Sequence, residues 1–272
     1  MAAKAPKAKL RIRRWDPTEL KPTNTILILG KRNTGKSVLV RHLCYLLRDH
    51  LQGAVAFCPT EGAQGVFGSF VPPSLIHEEY NAAVLDTLMQ TQRRQWKRGH
   101  GSHVMAILDD CAYDTKTFSS TSLRNIFYNG RHNRIGLIMT LQYSMAFPPA
   151  LRTNCDYVIA CREQILSNRE RLYNHFFGMF PSKDAFNRAF SACTSDYEVM
   201  VLKNDSQSNR LEDCVFWFKA QYDVPSFRIG ADSMWPLHDA YHVGADDSDG
   251  DTGSDGGGAG VRRGAGRPGT FF

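Results

Sequence analysis

The segment Gly30-Lys31-Arg32-Asn33-Thr34-Gly35-Lys36-Ser37 places two glycines, a lysine and a hydroxyl at the G-x-x-x-x-G-K-[ST] spacing of a phosphate-binding loop. Two glycines let the backbone turn tightly, so that successive N–H groups point into one concavity and can hold phosphate oxygens. In such a loop Lys36 reaches the β- and γ-phosphates of ATP, and Ser37 offers its hydroxyl to Mg²⁺. A second constellation is the apolar run Val104 to Leu108 followed by Asp109-Asp110, the Walker B pattern. Here Asp109 is expected to hold Mg²⁺ through its water shell opposite Ser37, and Asp110 stands where the residue that polarises an attacking water belongs. A third run, Ile135 to Thr140, ends in Leu141-Gln142 and can present the Gln142 amide to the γ-phosphate or its water, as a sensor. A fourth, Gly53 to Cys58, leads through Pro59-Thr60 to Glu61, a further carboxylate near the chemistry if the run joins the same sheet.

Strands and helices of recognisable type must position these groups. Ile26 to Leu29 reads as a buried strand entering the loop, and Val38 to Leu47 as the helix leaving it. The apolar runs at 53–58, 104–108, 135–140 and 157–160 lack polar alternation, as parallel strands covered on both faces do. Helical patterns run from Asn81 to Lys97, Ser122 to Tyr128, Ser167 to Phe177 and Ser182 to Phe190. The first of these ends in Arg93, Arg94, Lys97 and Arg98 beside Trp96, read as a solvated basic face, with DNA contact as the alternative. Tyr197 to Leu202 and Cys214 to Phe218 bracket the polar turn 204–209 and predict an antiparallel hairpin at one edge of the sheet. The expected fold is therefore α/β, a phosphate-loop NTPase with a mostly parallel central sheet flanked by helices.

The 272 residues, 42% of them hydrophobic, suffice for one sizeable domain. Much of the formal charge of +6 sits at the start, where residues 1–22 hold seven Lys or Arg against two acids. That stretch reads as a basic flexible arm, although Leu10, Ile12 and Trp15 could lay a short edge strand on the body. The body is expected over 23–243. From Gly244 the composition turns to Gly, Asp, Ser and then Arg, which cannot bury enough apolar surface to order itself, so 244–272 reads as a disordered tail. Seven cysteines at irregular spacings with no C-x-x-C pair indicate reduced thiols rather than a disulfide framework or zinc site. No stretch approaches the roughly 18 apolar residues of a membrane span, and a reducing compartment is expected.

The ordered set is more specific than any one motif. The loop, the strand ending Asp109-Asp110, Asn129-Gly130-Arg131-His132 ahead of a strand ending Thr140-Leu141-Gln142-Tyr143, then Pro149 to Asn154 and Ser167 to Tyr173, together resemble the virion DNA-packaging ATPases of large nucleocytoplasmic DNA viruses, the poxvirus-type packaging ATPases. Those belong to the FtsK/HerA group of DNA-pumping motors. The resemblance covers roughly residues 23–220. It implies a homo-oligomeric ring that hydrolyses ATP at subunit interfaces and drives double-stranded DNA into a capsid, with a capsid or portal-region protein as partner. It places the work in the infected cell's cytoplasm or viral factory, or on the virion. It also implies that Arg131 is an arginine finger reaching a neighbour's site, with Arg134 and Arg152 as fallbacks. The group often carries Glu where this chain has Asp110, so Glu61 stands as a second candidate general base. Competing readings are a nucleotide-kinase-like phosphotransferase, a GTPase and a non-catalytic nucleotide-gated scaffold. Dispersed arginines weigh against the first, and the lack of an Asn-Lys-x-Asp motif against the second.

Overall fold

The structure, a computed structural model, describes residues 11–111, 115–142 and 147–246. Its strands, in chain order, are β1 (Arg13–Arg14), β2 (Thr25–Leu29), β3 (Leu51–Phe57), β4 (Ile76–His77), β5 (His103–Asp109), β6 (Ile135–Leu141), β7 (Tyr157–Ala160), β8 (Glu198–Lys203) and β9 (Val215–Lys219). The helices are α1 (Lys36–Leu47), α2 (Glu61–Gly68), α3 (Ala82–Lys97), α4 (Thr121–Asn129), α5 (Pro149–Arg152), α6 (Leu166–His175), α7 (Lys183–Cys193), α8 (Leu211–Cys214) and α9 (Trp235–Asp246). Asn81, Ser120 and Ser182 each cap a helix start by accepting a backbone N–H, which fixes where α3, α4 and α7 begin.

The strands form one sheet in the order β1-β9-β8-β7-β2-β6-β5-β3-β4. All pairings are parallel except those of β8 with β7 and β9, so among the described strands β8 alone runs against the others. The β8–β9 hairpin lies toward one edge as the alternating apolar runs require, and β1 lies outside it. Every residue of β2 and β6 is buried, because both sheet faces are covered. Alternate side chains divide between the two layers. Leu27 and Leu29 pack with α3, α4, α6 and α7 on one face, while Ile26 and Ile28 pack with α1 and α2 on the other.

The packed body begins before residue 23. Trp15 is 2% exposed, its ring 5.2 Å from those of Tyr157 and Phe218, and Asp16 caps the turn at Pro17–Glu19. Burying an indole outweighs the entropy of a docked strand, so the basic stretch is anchored from Arg13 onward. Truncating Trp15 to Ala should cost about 3–5 kcal/mol, read as a lowered denaturant midpoint with an unchanged slope; a loss below about 1 kcal/mol would mean that this segment is not part of the core. Residues 1–10 and 247–272 and Tyr143 lie outside the described residues. At the C-terminus α9 runs to Asp246, three residues into the stretch expected to be tail.

Candidate active site

The parallel strands deliver their carboxyl ends to one rim of the sheet, and the phosphate loop leaves β2 there. Gly30 continues the ladder, its N–H donating to the Leu141 carbonyl at 2.9 Å. No side chain fits at this position: a Cβ would stand 2.6 Å from Thr34 Oγ1 and 2.7 Å from Cys161 Cβ. Gly35 caps α1 with φ 87°, a left-handed conformation that side chains other than Asn and Asp rarely adopt. Helix α1 starts at Lys36, so Lys36 and Ser37 lie in its first turn, where backbone N–H groups lack helical partners and the dipole favours anions.

Lys36 is 7% exposed, and its ammonium is fully engaged. It donates to the carbonyls of Gly30 at 2.9 Å and Lys31 at 3.2 Å, and pairs with Asp110 Oδ2 at 3.1 Å. On the same oxygen Asp110 accepts the Gln142 amide at 3.2 Å. Lys36, Asp110 and Gln142, predicted from three separate strand ends, therefore meet in one cluster. Strand order explains the meeting: β6 lies between β2 and β5, with Asp109 beside Thr140 and Leu29 beside Leu141.

Thr140 ties Asp109 and Asp110 together, and the sequence reading gave it no role. Fully buried, it donates to Asp109 Oδ1 at 2.6 Å and accepts the Asp110 N–H at 3.0 Å. Burial pushes the Asp109 carboxyl up from its ordinary range; the Thr140 bond opposes this, Asp110 adds to it and Lys36 opposes it. Asp110 itself has φ 51°. Asp and Asn tolerate the left-handed region better than Glu, which gives a conformational reason for the shorter acid here. The carboxylate nonetheless reaches both Lys36 and Gln142, so its length is matched to the site.

Glu163, also missed, fixes the loop from the far side. It follows β7, is 7% exposed, and pairs with Lys31 Nζ at 2.7 Å. Burial alone would raise its carboxyl. Donation from Lys31, the Ile165 amide and Asn168 outweighs that and holds it below the usual carboxylate range.

Other predicted groups fall elsewhere. Ser37 is half-buried beside Lys36, and Arg32 and Asn33 are exposed on the loop. Thr34 turns its hydroxyl to the Lys31 carbonyl at 2.7 Å. Glu61 opens α2 with an exposed side chain beyond β3, and is not among the groups touching Lys36, Asp110 or Gln142. Arg131 precedes β6 and so lies at the opposite rim, about 20 Å from the loop at roughly 3.3 Å per residue of strand. Its side chain is 56% exposed and meets Asp156 only at 3.8 Å. By contrast, Arg134 lies 4.1 Å over the Trp96 ring and donates to the Gly101 carbonyl, and Arg152 donates to the Phe147 carbonyl at 3.0 Å. The basic end of α3 is on that same opposite rim, where Arg93 donates to Asn133 at 3.2 Å.

Comparison with known proteins places this architecture. No protein-family model matches the chain. Protein L437 of Acanthamoeba polyphaga mimivirus is 31% identical over 244 residues, covering 86% of this chain and 85% of that one. The chain belongs to its family. Protein 088R of Invertebrate iridescent virus 3, 33% identical over 208 residues and 80% of its length, is a further relative, so the family spans large DNA viruses. Its fold is that of phosphate-loop NTPases: the genome packaging NTPase B204 of Sulfolobus turreted icosahedral virus 2, solved with AMPPCP, superposes with TM-score 0.55 at 16% identity, over 75% of this chain and 100% of that one. EssC ATPases 2 and 3 of Geobacillus thermodenitrificans superpose with TM-score 0.51 at 12% identity, over 84% and 45%. Among the described residues of this family member no helix is long and apolar enough to cross a membrane.

Proposed function

We propose that the chain is an ATP-driven double-stranded DNA translocase that packages a viral genome into a capsid, hydrolysing ATP between subunits of a homo-oligomeric ring. The observation that carries this reading is the Lys36–Asp110–Gln142 cluster at the phosphate loop, combined with the exposed and weakly held Arg131 at the opposite rim. Phosphate oxygens are charged acceptors and outcompete the two loop carbonyls for Lys36. Binding ATP thus draws Lys36 away from Asp110. Asp110, still oriented by Gln142, is then free to take a proton from the attacking water.

The residues fit Mg²⁺. Thr140 holds Asp109 Oδ1, while among the described residues no hydrogen bond reaches Oδ2, and Ser37 supplies a hydroxyl. An all-oxygen set of one carboxylate, one hydroxyl, waters and phosphate oxygens suits this ion, which supplies charge neutralisation at the phosphates when bound.

In this reading the packed body from Arg13 to Asp246 is the motor, the basic residues before it and the tail after it are its appendages, and a capsid or portal-region protein docks the ring. It works in the infected cell's cytoplasm or viral factory, or with the virion. Kinship with proteins of large DNA viruses, and a fold shared with a genome packaging NTPase, support it. The test is steady-state ATP hydrolysis across protein concentration, with and without long double-stranded DNA. Stimulation by DNA and a rate per subunit that rises steeply with concentration are expected. Equal activity at high dilution, indifferent to DNA, would leave a monomeric phosphohydrolase. DNA held by its phosphates should bind about tenfold or more weaker between 50 and 200 mM salt; an affinity independent of salt counts against the reading.

A further inference from the structure

Beside the phosphate loop, on the flank away from Asp110, lies a cavity of about 430 Å³ that the sequence reading did not anticipate. Loop residues 31–34 form one wall; Arg162 and Gln164, just after β7, and the turn 196–198 form the other. Tyr197 dominates this turn. Its side chain is 67% exposed although the ring is large and apolar. Asp196 and Tyr197 are successive residues in the left-handed region, φ 49° and 60°, which is uncommon for any residue and strained for an aromatic one. The backbone is held there by the Asp196 pair with Lys219 at 2.5 Å and by the Glu198 N–H donating to the Ser195 carbonyl at 2.9 Å. Strain that the surroundings enforce to keep an aromatic ring in solvent points to a ligand for the ring.

The ring's position identifies the kind of ligand. Its Cδ1 would stand 3.3 Å from a Cβ on Gly35, the residue before Lys36, so it lies over the start of α1 where phosphates are expected. A ligand with its phosphates in the loop would carry its remaining half into this cavity. The walls offer a flat aromatic face, an amide, a guanidinium and carboxylates, the groups that stack on a base and hydrogen-bond to its edge and sugar. The volume lies within the range of small-molecule sites.

We propose that this cavity receives the nucleoside half of a nucleoside triphosphate, with the Tyr197 ring stacked on the base. This rests on the reading of the phosphate loop as a triphosphate site. Binding of ATP and of inorganic tripolyphosphate, each with Mg²⁺, is measured by calorimetry on the full chain and on Tyr197→Asn and Tyr197→Phe. Asn removes the ring yet suits a left-handed backbone, so folding is spared. ATP should bind about tenfold more weakly to Tyr197→Asn, with tripolyphosphate unchanged and Tyr197→Phe like the wild type. Unchanged ATP affinity in Tyr197→Asn overturns the proposal, as does an equal loss for both ligands, which would mean that the loop itself was disturbed. If the wild-type chain binds neither ligand, the triphosphate reading fails and this inference with it; binding of tripolyphosphate with no preference for ATP overturns the nucleoside pocket alone.

Discussion

Arg131→Ala is expected to lower ATP turnover by roughly 10³ to 10⁵ while leaving ATP binding intact. The size follows from what an arginine finger does: it supplies positive charge as negative charge shifts in the phosphoryl transition state, about 4–7 kcal/mol of barrier. The geometry makes the experiment decisive, because Arg131 sits at the rim opposite its own phosphate loop and cannot act on its own nucleotide. Mixing Arg131→Ala with Asp109→Asn should therefore restore activity, since some interfaces then pair an intact loop with an intact arginine. Absence of rescue, with both chains folded and assembled, would remove Arg131 from the reaction. Arg134 and Arg152, already committed to Trp96, Gly101 and Phe147, are poorer candidates, and replacing them should disturb packing first.

Asp110→Asn should reduce kcat by about 10² to 10⁴, the usual worth of a positioned general base. Asn suits φ 51° as well as Asp does and can still accept the Gln142 amide, so the site keeps its shape. What it loses is the ability to take a proton, along with the ion pair to Lys36 at 3.1 Å. ATP affinity should accordingly stay constant or tighten, because the phosphates no longer compete with a carboxylate for Lys36. Pre-steady-state binding and single-turnover hydrolysis separate the two effects. Full single-turnover activity in Asp110→Asn, lost instead in Glu61→Gln, would transfer the base to Glu61 despite its exposed position at the start of α2.

Local patterns carried most of the fold. Runs without polar alternation, such as 104–108 and 135–140, are unmistakable because strands covered on both faces admit none, and the glycine spacing of the loop reflects steric facts at Gly30 and Gly35. Contacts between distant segments were not legible. Thr140 looks like any strand threonine until strand order places it against Asp109, and Glu163 becomes part of the loop only through its pairing with Lys31 across the β2–β7 neighbours. Tyr197 is one tyrosine of ten, and its left-handed backbone has no signature in sequence. Glu61 shows the converse: a strand end points toward the rim that carries the phosphate loop, yet with β6 and β5 between β3 and β2 it does not bring the side chain to the cluster.

Strand β6 has Gln142 just after its last residue and Arg131 four residues before its first, on the short 3-10 turn Arg131–Asn133 that leads into it, and it is hydrogen-bonded along its length to β2 on one side and β5 on the other. A strand bound on both sides is stiff along its axis, so its two ends shift together. In a ring built on Arg131, this strand is a tie rod between consecutive nucleotides. Release of the γ-phosphate beside Gln142 would move the arginine presented to the next subunit, so that firing order around the ring would be set mechanically within each protomer.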